Sequence, residues 1–271
     1  MTINEQTSSV NEPDDKLDDH NGITFEVVEK EPIGGKPRRG VYLVPNLITS
    51  LSLLSAFFSI TLSADGQFYK AAFAIFISAI LDGMDGRAAR MLNAQSPFGE
   101  QYDSLADMIA FGLAPALLAY HFVLHDLGRF GVACAFVFVA CAAFRLARFN
   151  VQIGKVDKKY FIGVASPLAA LLIASSVMVA SDHVLPVLSL GTLSIIMAVW
   201  VVSCGFLMVS NIKYYSFKVF DKKKVPFVVL MVGVLIMGAL AYDIPVGVLA
   251  IGVVYALSGF VTTLTSRTKK S

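Results

Sequence analysis

The sequence predicts an all-α polytopic membrane protein, and three observations support this prediction. Of the 271 residues, 56% are hydrophobic and only 15% are charged, whereas a soluble domain carries about 25% charged residues. From Pro45 onward the hydrophobic residues form runs of roughly 17 to 25, the length of a helix that crosses a ~30 Å hydrocarbon core. The lysines and arginines are concentrated in alternate breaks between these runs.

The apolar runs predict about eight transmembrane helices. Their approximate spans are 45–63, 68–90, 99–124, 129–149, 163–181, 186–208, 225–241 and 245–265. One set of breaks between them holds turn-forming clusters such as Ala64-Asp65-Gly66, and the other set holds the basic residues.

Charge placement predicts the orientation of these helices. If both termini are cytoplasmic, 20 of the 22 lysines and arginines lie inside, and only Lys70 and Arg129 lie outside. Such a bias is a strong form of the positive-inside rule. We therefore expect both termini on the cytoplasmic side.

Composition also excludes several classes of protein. The formal net charge of +2 does not provide the basic domain or stripe typical of nucleic-acid binding. Cys134, Cys141 and Cys204 are scattered through apolar runs without a CxxC or cysteine–histidine spacing. We therefore expect neither disulfides nor a zinc site.

The N-terminal segment differs in kind from the rest of the chain. Residues 1–37 contain nine of the twenty acidic residues and little apolar periodicity, a composition that buries too little surface to offset the entropy of ordering. A basic segment followed at once by an apolar one, the mark of a signal peptide, is missing. We predict a disordered cytoplasmic tail at 1–37, a transmembrane domain at 38–265 and a cytoplasmic C-terminus at 266–271.

Five acidic residues lie within or at the ends of apolar helices. They are Asp82, Asp85, Glu100, Asp103 and Asp107. A charge inside a membrane span costs at least ~2.5 to 3.5 kcal/mol, and such residues usually line a cavity or pathway. In the predicted topology all five converge near the cytoplasmic end of one helical hairpin.

The spacing of four of these acids predicts a metal site. Asp82 and Asp85 are three residues apart and Asp103 and Asp107 are four apart, so each pair occupies one face of its helix. Four carboxylates held close together require compensating positive charge. A hard divalent cation with oxygen ligands meets this need, and magnesium or manganese is favoured over zinc because no histidine or cysteine is nearby.

Small residues are interleaved with the acids and have two possible explanations. Gly83, Gly86, Ala88, Ala89 and Gly99 permit close helix packing, or they leave room for a nucleotide between helices. The sequence alone does not decide between the two.

Read in order, these residues form the pattern D-x2-D-G-x2-A-R-x8-G-x3-D-x3-D over residues 82–107. The pattern resembles, without departure, the signature of the CDP-alcohol phosphotransferases, membrane enzymes that make phospholipid head groups. Further stretches resemble the integral-membrane phosphatidylserine synthases within that family. They include Arg38-Arg39-Gly40, Tyr42-Leu43-Val44-Pro45-Asn46 and the segment from Phe144 to Asn150.

The resemblance implies a reaction, a fold and roles for individual residues. The reaction is transfer of the phosphatidyl group from CDP-diacylglycerol to the hydroxyl of L-serine, with release of CMP. The fold is a core of six transmembrane helices, here about 38–220, usually in a homodimer in a bacterial cytoplasmic membrane, so the helices at about 225–265 are additions. By position, Asp82, Asp85 and Asp103 are metal ligands, and Asp107 completes the metal site and acts as the general base.

Other polar residues near these acids are candidates for substrate contacts. Gly86, Ala89, Arg90 and Gly99 are expected beside the nucleotide, with Arg90 offering its donor fork to the diphosphate. Asn46 and Thr49 open the first helix, where they either cap it or contact the nucleotide. Arg145 and Arg148 either extend to the membrane interface or bind the serine carboxylate or the lipid phosphate.

Two alternatives remain open at this stage. Intramembrane carboxylates also mark ion paths in transporters, but those sites lie near the bilayer midplane between repeated halves, and residues 160–271 contain no second copy of the pattern. The second alternative lies within the family, as the same reaction with another alcohol such as glycerol 3-phosphate or inositol phosphate. A phosphorylated acceptor requires a further basic pocket.

Overall fold

The computed structural model describes residues 42–152, 160–184, 189–215 and 243–268. These residues all belong to one compact unit that extends from Pro37 to Ser271. The predicted tail at 1–37 and the predicted helix at 225–241 lie outside the described residues.

The described chain is helical apart from its connections and two short strands. Its α-helices are α1 (Leu43–Ala64), α2 (Phe68–Met91), α3 (Pro97–Asp107), α4 (Ala114–Phe122), α5 (Arg129–Gln152), α6 (Ser166–Val179), α7 (Leu190–Val209) and α8 (Ile244–Thr268). A π-helical segment, Met108–Leu113, joins α3 to α4, and a second one, Ala180–Val184, follows α6. A short 3₁₀ helix, Leu124–Leu127, precedes α5.

The prediction of a helical polytopic membrane protein is confirmed. Among the residues that the structure describes, four helices are long and apolar enough to cross a membrane, namely Leu43–Ala64, Pro97–Phe122, Arg129–Val151 and Leu190–Val209. Two shorter apolar helices are Ser166–Asp182 and Ile244–Leu257, and α2 has 24 residues but carries Asp82 and Asp85. The total of eight helices stays a prediction, since one of them lies outside the described chain.

Helices α1 and α2 are held together by hydrogen bonds of serine hydroxyls. The hydroxyls of Ser52 and Ser78 are 2.8 Å apart, and each also donates to the other residue's backbone carbonyl at 3.0 Å. Ser55 donates to the carbonyl of Ala74 at 2.8 Å. Small polar residues of this kind allow close approach and hydrogen bonding between helices in membranes, and they fix the register of α1 against α2.

The helix from Pro97 to Phe122 is continuous but not α-helical throughout. It begins with Ser96 as N-cap, whose hydroxyl accepts from the Gly99 amide at 3.0 Å, and Pro97 occupies the first turn, where a missing amide proton costs nothing. The π-helical segment Met108–Leu113 directly follows Asp107.

A small antiparallel sheet was not predicted from the sequence. Strand β1 (Tyr160–Ile162) pairs with β2 (Lys213–Tyr215), with Tyr160 opposite Tyr215. The Gly163 amide donates to the carbonyl of Ile212 at 2.9 Å, and the Val164 amide to that of Leu207 at 3.1 Å. These bonds fasten the start of α6 to the end of α7.

The fifth helix, predicted to begin at about residue 163, begins at Ser166. Gly163 has φ +77°, and a Cβ there would collide with the carbonyl oxygen of Met208. Gly163 and Val164 instead bond to the end of α7, and α6 begins at Ser166 with Pro167 in its first turn.

The core consists of small and apolar residues from the central helices. Phe111, Leu118, Phe138 and Ile173 are fully buried, together with many alanines. Large apolar side chains such as Phe57, Phe136 and Ile195 are exposed on α1, α5 and α7. This distribution is that of a protein whose outer surface contacts lipid.

Candidate metal and nucleotide site

Three aspartates form a carboxylate cluster between α2 and α3. Oxygen atoms of Asp82, Asp85 and Asp103 all lie within 4.8 Å of one another. The carboxyl group of Asp107, one turn beyond Asp103, lies beside that of Asp82 and outside this group of three. The structure therefore brings together the four carboxylates singled out in the sequence.

The cluster has the properties of a site for a divalent cation. Asp85 is only 4% exposed, and Oδ1 of Asp103 is buried without a hydrogen-bond partner among the described residues. A buried polar atom without a partner is costly, and a bound cation would provide one. All the candidate ligands are carboxylate oxygens, which suit magnesium or manganese.

A hydroxyl from α1 reaches this cluster. Thr49 Oγ1 donates to Asp85 Oδ2 at 2.7 Å and is also 3.1 Å from the carbonyl oxygen of Pro45. The interpretation of Asn46 and Thr49 as helix caps is wrong, because α1 begins at Leu43 and both residues lie inside it.

A cleft open to solvent lies beside the carboxylates. It is lined by Pro45, Asn46, Thr49, Asp85, Gly86, Ala89, Arg90, Ala94, Gln95, Ser96, Gly99, Glu100 and Asp103. All six residues predicted beside the nucleotide belong to this lining. The cleft therefore connects those residues with two members of the cluster, Asp85 and Asp103.

The two motif glycines in this cleft differ in what surrounds them. A Cβ added to Gly86 would meet no atom within 4 Å, so packing within the described chain does not require glycine there. A Cβ on Gly99 would lie 3.1 Å from Ser96 Oγ and 3.2 Å from Asn46 Oδ1. The need for glycine at position 99 is thus explained by the side chains of Ser96 and Asn46. Gly86 instead leaves open space next to Asp85.

The two candidate arginines do not line the cleft. Arg145 Nε donates to the carbonyl oxygen of Val164 at 2.8 Å and Nη1 donates to Ser166 Oγ at 2.7 Å, and the guanidinium interacts electrostatically with Asp107. Arg148 Nη2 donates to Asn211 Oδ1 at 2.9 Å. Arg145 therefore belongs to the surroundings of Asp107, and Arg148 joins the end of α5 to the segment after α7.

Sequence reasoning missed the contribution of the connection between α2 and α3. Ala94, Gln95 and Ser96 line the cleft, and they fall in the unspecified eight-residue gap of the motif. It also missed that Asn150 Nδ2 donates to Ser104 Oγ at 3.1 Å. The contribution of the connection could have been predicted, because the eight-residue gap separates the two halves of the motif. Nothing in the sequence indicates the contact between Asn150 and Ser104.

Fold and site together define a helical membrane protein that has a carboxylate cluster beside a cleft. The sequence profile of CDP-alcohol phosphatidyltransferases matches residues 42–200. The chain belongs to the CDP-alcohol phosphatidyltransferase family, which confirms the resemblance of its motif.

Several relatives bear the name CDP-diacylglycerol–serine O-phosphatidyltransferase. The protein of that name from Helicobacter pylori (strain ATCC 700392 / 26695) is 43% identical over 182 residues, which is 67% of this chain and 76% of the relative. The one from Bacillus subtilis (strain 168) is 33% identical over 175 residues, or 65% of this chain and 91% of the relative. The one from Methanocaldococcus jannaschii is 30% identical over 184 residues, or 67% of this chain and 79% of the relative.

Proposed function

We propose that this protein makes phosphatidylserine by transferring the phosphatidyl group of CDP-diacylglycerol to the hydroxyl of L-serine. The serine oxygen bonds to the phosphorus of the phosphatidyl group, the bond from that phosphorus to CMP breaks, and CMP leaves. The observation that supports this most directly is the cluster of Asp82, Asp85 and Asp103 beside a cleft lined by the family motif. The names of the relatives support serine as the acceptor.

The metal of this proposal is magnesium or manganese, held by Asp82, Asp85, Asp103 and Asp107. When bound, it would neutralise charge on the phosphate oxygens and orient the reacting groups. The unpartnered Oδ1 of Asp103 supports this assignment, since a carboxylate oxygen is a preferred ligand for either ion.

The nucleotide is assigned to the cleft. Gly86 and Ala89 leave space on α2, Gly99 and Asn46 form the opposite wall, and Arg90 contributes a cation for the diphosphate. Phosphoryl transfer depends mainly on positioning and on compensation of phosphate charge, and these residues supply both.

Asp107 is the proposed general base. The acceptor is a neutral hydroxyl whose proton must be removed during attack, and Asp107 lies beside Asp82 at the cluster. Arg145 and Arg148 are the proposed contacts for the serine carboxylate or the lipid phosphate. Arg145 is favoured by its electrostatic interaction with Asp107.

The proposal includes the placement of the protein in its membrane. The active site and both termini face the cytoplasm, on the distribution of basic residues. Residues 1–37 form a cytoplasmic tail, 38–265 form the catalytic membrane domain, with its core at about 38–220 and extra helices at about 225–265, and 266–271 form the C-terminus. We expect a homodimer in a bacterial cytoplasmic membrane.

The proposal is tested by CMP release from purified protein in detergent with CDP-diacylglycerol and manganese or magnesium. The acceptor is either L-serine or glycerol 3-phosphate, and Asp107→Asn serves as the control variant. We expect serine-dependent CMP release that is lost in Asp107→Asn and after removal of divalent metal with EDTA.

The alternatives give different results in the same assay. Release with glycerol 3-phosphate or another alcohol, and not with serine, would overturn the acceptor while keeping the reaction type. Absence of release with any alcohol would contradict the enzyme proposal and favour a transporter.

A further inference from the structure

The contact between Thr49 and Asp85 has a consequence beyond the family motif. We propose that Thr49 is a positioning residue, which holds the carboxylate of Asp85 in the orientation needed to bind a divalent cation, and that its hydroxyl does not contact the nucleotide. This inference rests on the proposed metal site.

The geometry favours donation of the Thr49 hydroxyl proton to Asp85. A threonine hydroxyl has one proton to donate, and two acceptors are within reach, Asp85 Oδ2 at 2.7 Å and the Pro45 carbonyl at 3.1 Å. A hydrogen bond to a carboxylate is shorter and stronger than one to a neutral carbonyl. The proton therefore belongs to Asp85 whenever that group is ionised, as it is with a bound cation.

Burial makes this contact specific. Thr49 and Asp85 are each only 4% exposed. If the hydroxyl of Thr49 is removed, water therefore does not take its place beside Asp85 without a cost in free energy. Asn46, one turn earlier on α1, is half-buried, lines the cleft and has its Oδ1 next to Gly99. The polar side chain of α1 that remains available to a nucleotide is therefore Asn46.

The rest of α1 holds the hydroxyl in place. Ser52, one turn after Thr49, forms the reciprocal hydrogen bonds with Ser78, which lies two turns before Asp85 on α2. Ser50 is 2.8 Å from the hydroxyl of Tyr102 on α3. Helix α1 is thus fastened to both helices that carry the carboxylates.

The side chain of threonine suits a positioning role. Its branching at Cβ restricts χ1, so the hydroxyl stays directed at Asp85 without a large entropic cost. Residues that orient metal ligands in this way typically change metal affinity by about 10- to 100-fold when they are removed.

The experiment measures Mn²⁺ binding by the full chain in detergent, without substrates, through the electron paramagnetic resonance signal of free Mn²⁺. The variants are Thr49→Val, which keeps the shape without the hydroxyl, and Thr49→Ser, which keeps the hydroxyl. Thr61→Val is the matched control, because Thr61 lies on the same helix about 18 Å further along its axis and donates only to the carbonyl of Phe58.

We expect the Mn²⁺ dissociation constant to rise at least tenfold in Thr49→Val, to rise less than threefold in Thr49→Ser, and to stay unchanged in Thr61→Val. The KM for CDP-diacylglycerol at saturating Mn²⁺ should change less than threefold in Thr49→Val. If Thr49→Val does not yield a monodisperse protein, Thr49→Ala is measured in its place.

The outcomes separate this inference from the proposed function. Unchanged Mn²⁺ affinity in Thr49→Val, with a raised KM for CDP-diacylglycerol, would assign Thr49 to the nucleotide and overturn the inference. Absence of Mn²⁺ binding by the unsubstituted protein would instead overturn the metal site itself.

Discussion

Arg145 donates from Nη1 to Ser166 Oγ at 2.7 Å and from Nε to the carbonyl oxygen of Val164 at 2.8 Å. Through these two hydrogen bonds the guanidinium joins α5 to the start of α6. Both acceptors belong to a segment that is hydrogen-bonded to the end of α7. These bonds therefore fix the position of the guanidinium relative to Asp107.

Replacing Arg145 with lysine should therefore lower the activity, although the positive charge is retained. A lysine ammonium lacks the planar donor fork and cannot make both bonds in the same geometry. We expect kcat/KM for serine to fall at least tenfold, a loss of roughly 1.4 kcal/mol of transition-state stabilisation or more.

The control for Arg145→Lys is Arg129→Lys at the opposite end of α5. Steady-state CMP release at varied serine concentration measures both variants. Equal kcat/KM in Arg145→Lys and the unsubstituted protein would contradict a role for the guanidinium in the site.

Gly163 should be required for folding and not for chemistry. Its φ of +77° and the carbonyl oxygen of Met208 leave no space for a Cβ, and a non-glycine residue in that conformation costs ~1–3 kcal/mol before the collision is counted. We expect Gly163→Ala to lower the thermal midpoint in detergent by several degrees.

Gly191→Ala is the matched comparison, since a Cβ there meets no atom within 4 Å and its midpoint should not fall. Fluorescence-detected size exclusion after heating measures both variants. A thermal midpoint in Gly163→Ala equal to that of the unsubstituted protein would show that the segment can move away from Met208.

Local patterns in the sequence were sufficient for the helices and for the acidic motif. Each predicted helix that lies in the described chain agrees with an observed one to within four residues at either end, because apolar runs between charged breaks are set by the thickness of the membrane. The four carboxylates were predictable because helical periodicity places i and i+3 or i+4 on one face.

Features that depend on distant contacts were not predictable in this way. The chain before α6 is held by hydrogen bonds from the Gly163 and Val164 amides to the carbonyls of Ile212 and Leu207, which are far away in sequence. The π-helical segment after Asp107 departs from the 100° step on which the analysis of periodicity depends. The partners of Arg145 lie at the start of α6 and on the connection before it, whose course the apolar pattern does not specify.

Gly86→Ala should separate substrate binding from stability. A Cβ at this position meets no atom of the described chain within 4 Å, and alanine is favoured over glycine inside a helix by about 1 kcal/mol. We therefore expect an unchanged or raised thermal midpoint, together with a KM for CDP-diacylglycerol that rises at least fivefold because the methyl group enters the cleft.

Gly83→Ala controls for the general effect of alanine on α2, because its Cβ also meets no atom within 4 Å and Gly83 does not line the cleft. Its KM should stay within twofold of the unsubstituted value. A KM that is unchanged in Gly86→Ala would place the nucleotide elsewhere.

Asp103→Asn should change the response to metal rather than abolish the reaction outright. The substitution removes one charged oxygen from the cluster but retains a carbonyl oxygen as a weaker ligand. We expect the Mn²⁺ concentration for half-maximal CMP release to rise at least tenfold, with much of the rate recovered at high Mn²⁺. Asp107→Asn should not recover at any Mn²⁺ concentration, because the proposed base is then missing and general-base catalysis contributes about 10²- to 10⁴-fold.

The control for both substitutions is Asp126→Asn, since Asp126 pairs with His125 at 3.2 Å in the connection between α4 and α5, away from the cluster. Its Mn²⁺ dependence should equal that of the unsubstituted protein. If Asp103→Asn keeps the original Mn²⁺ dependence while losing rate, Asp103 acts on the substrate and not on the metal. If Asp107→Asn is recovered by Mn²⁺, Asp107 is a metal ligand alone, and the proton of the serine hydroxyl must go to another group.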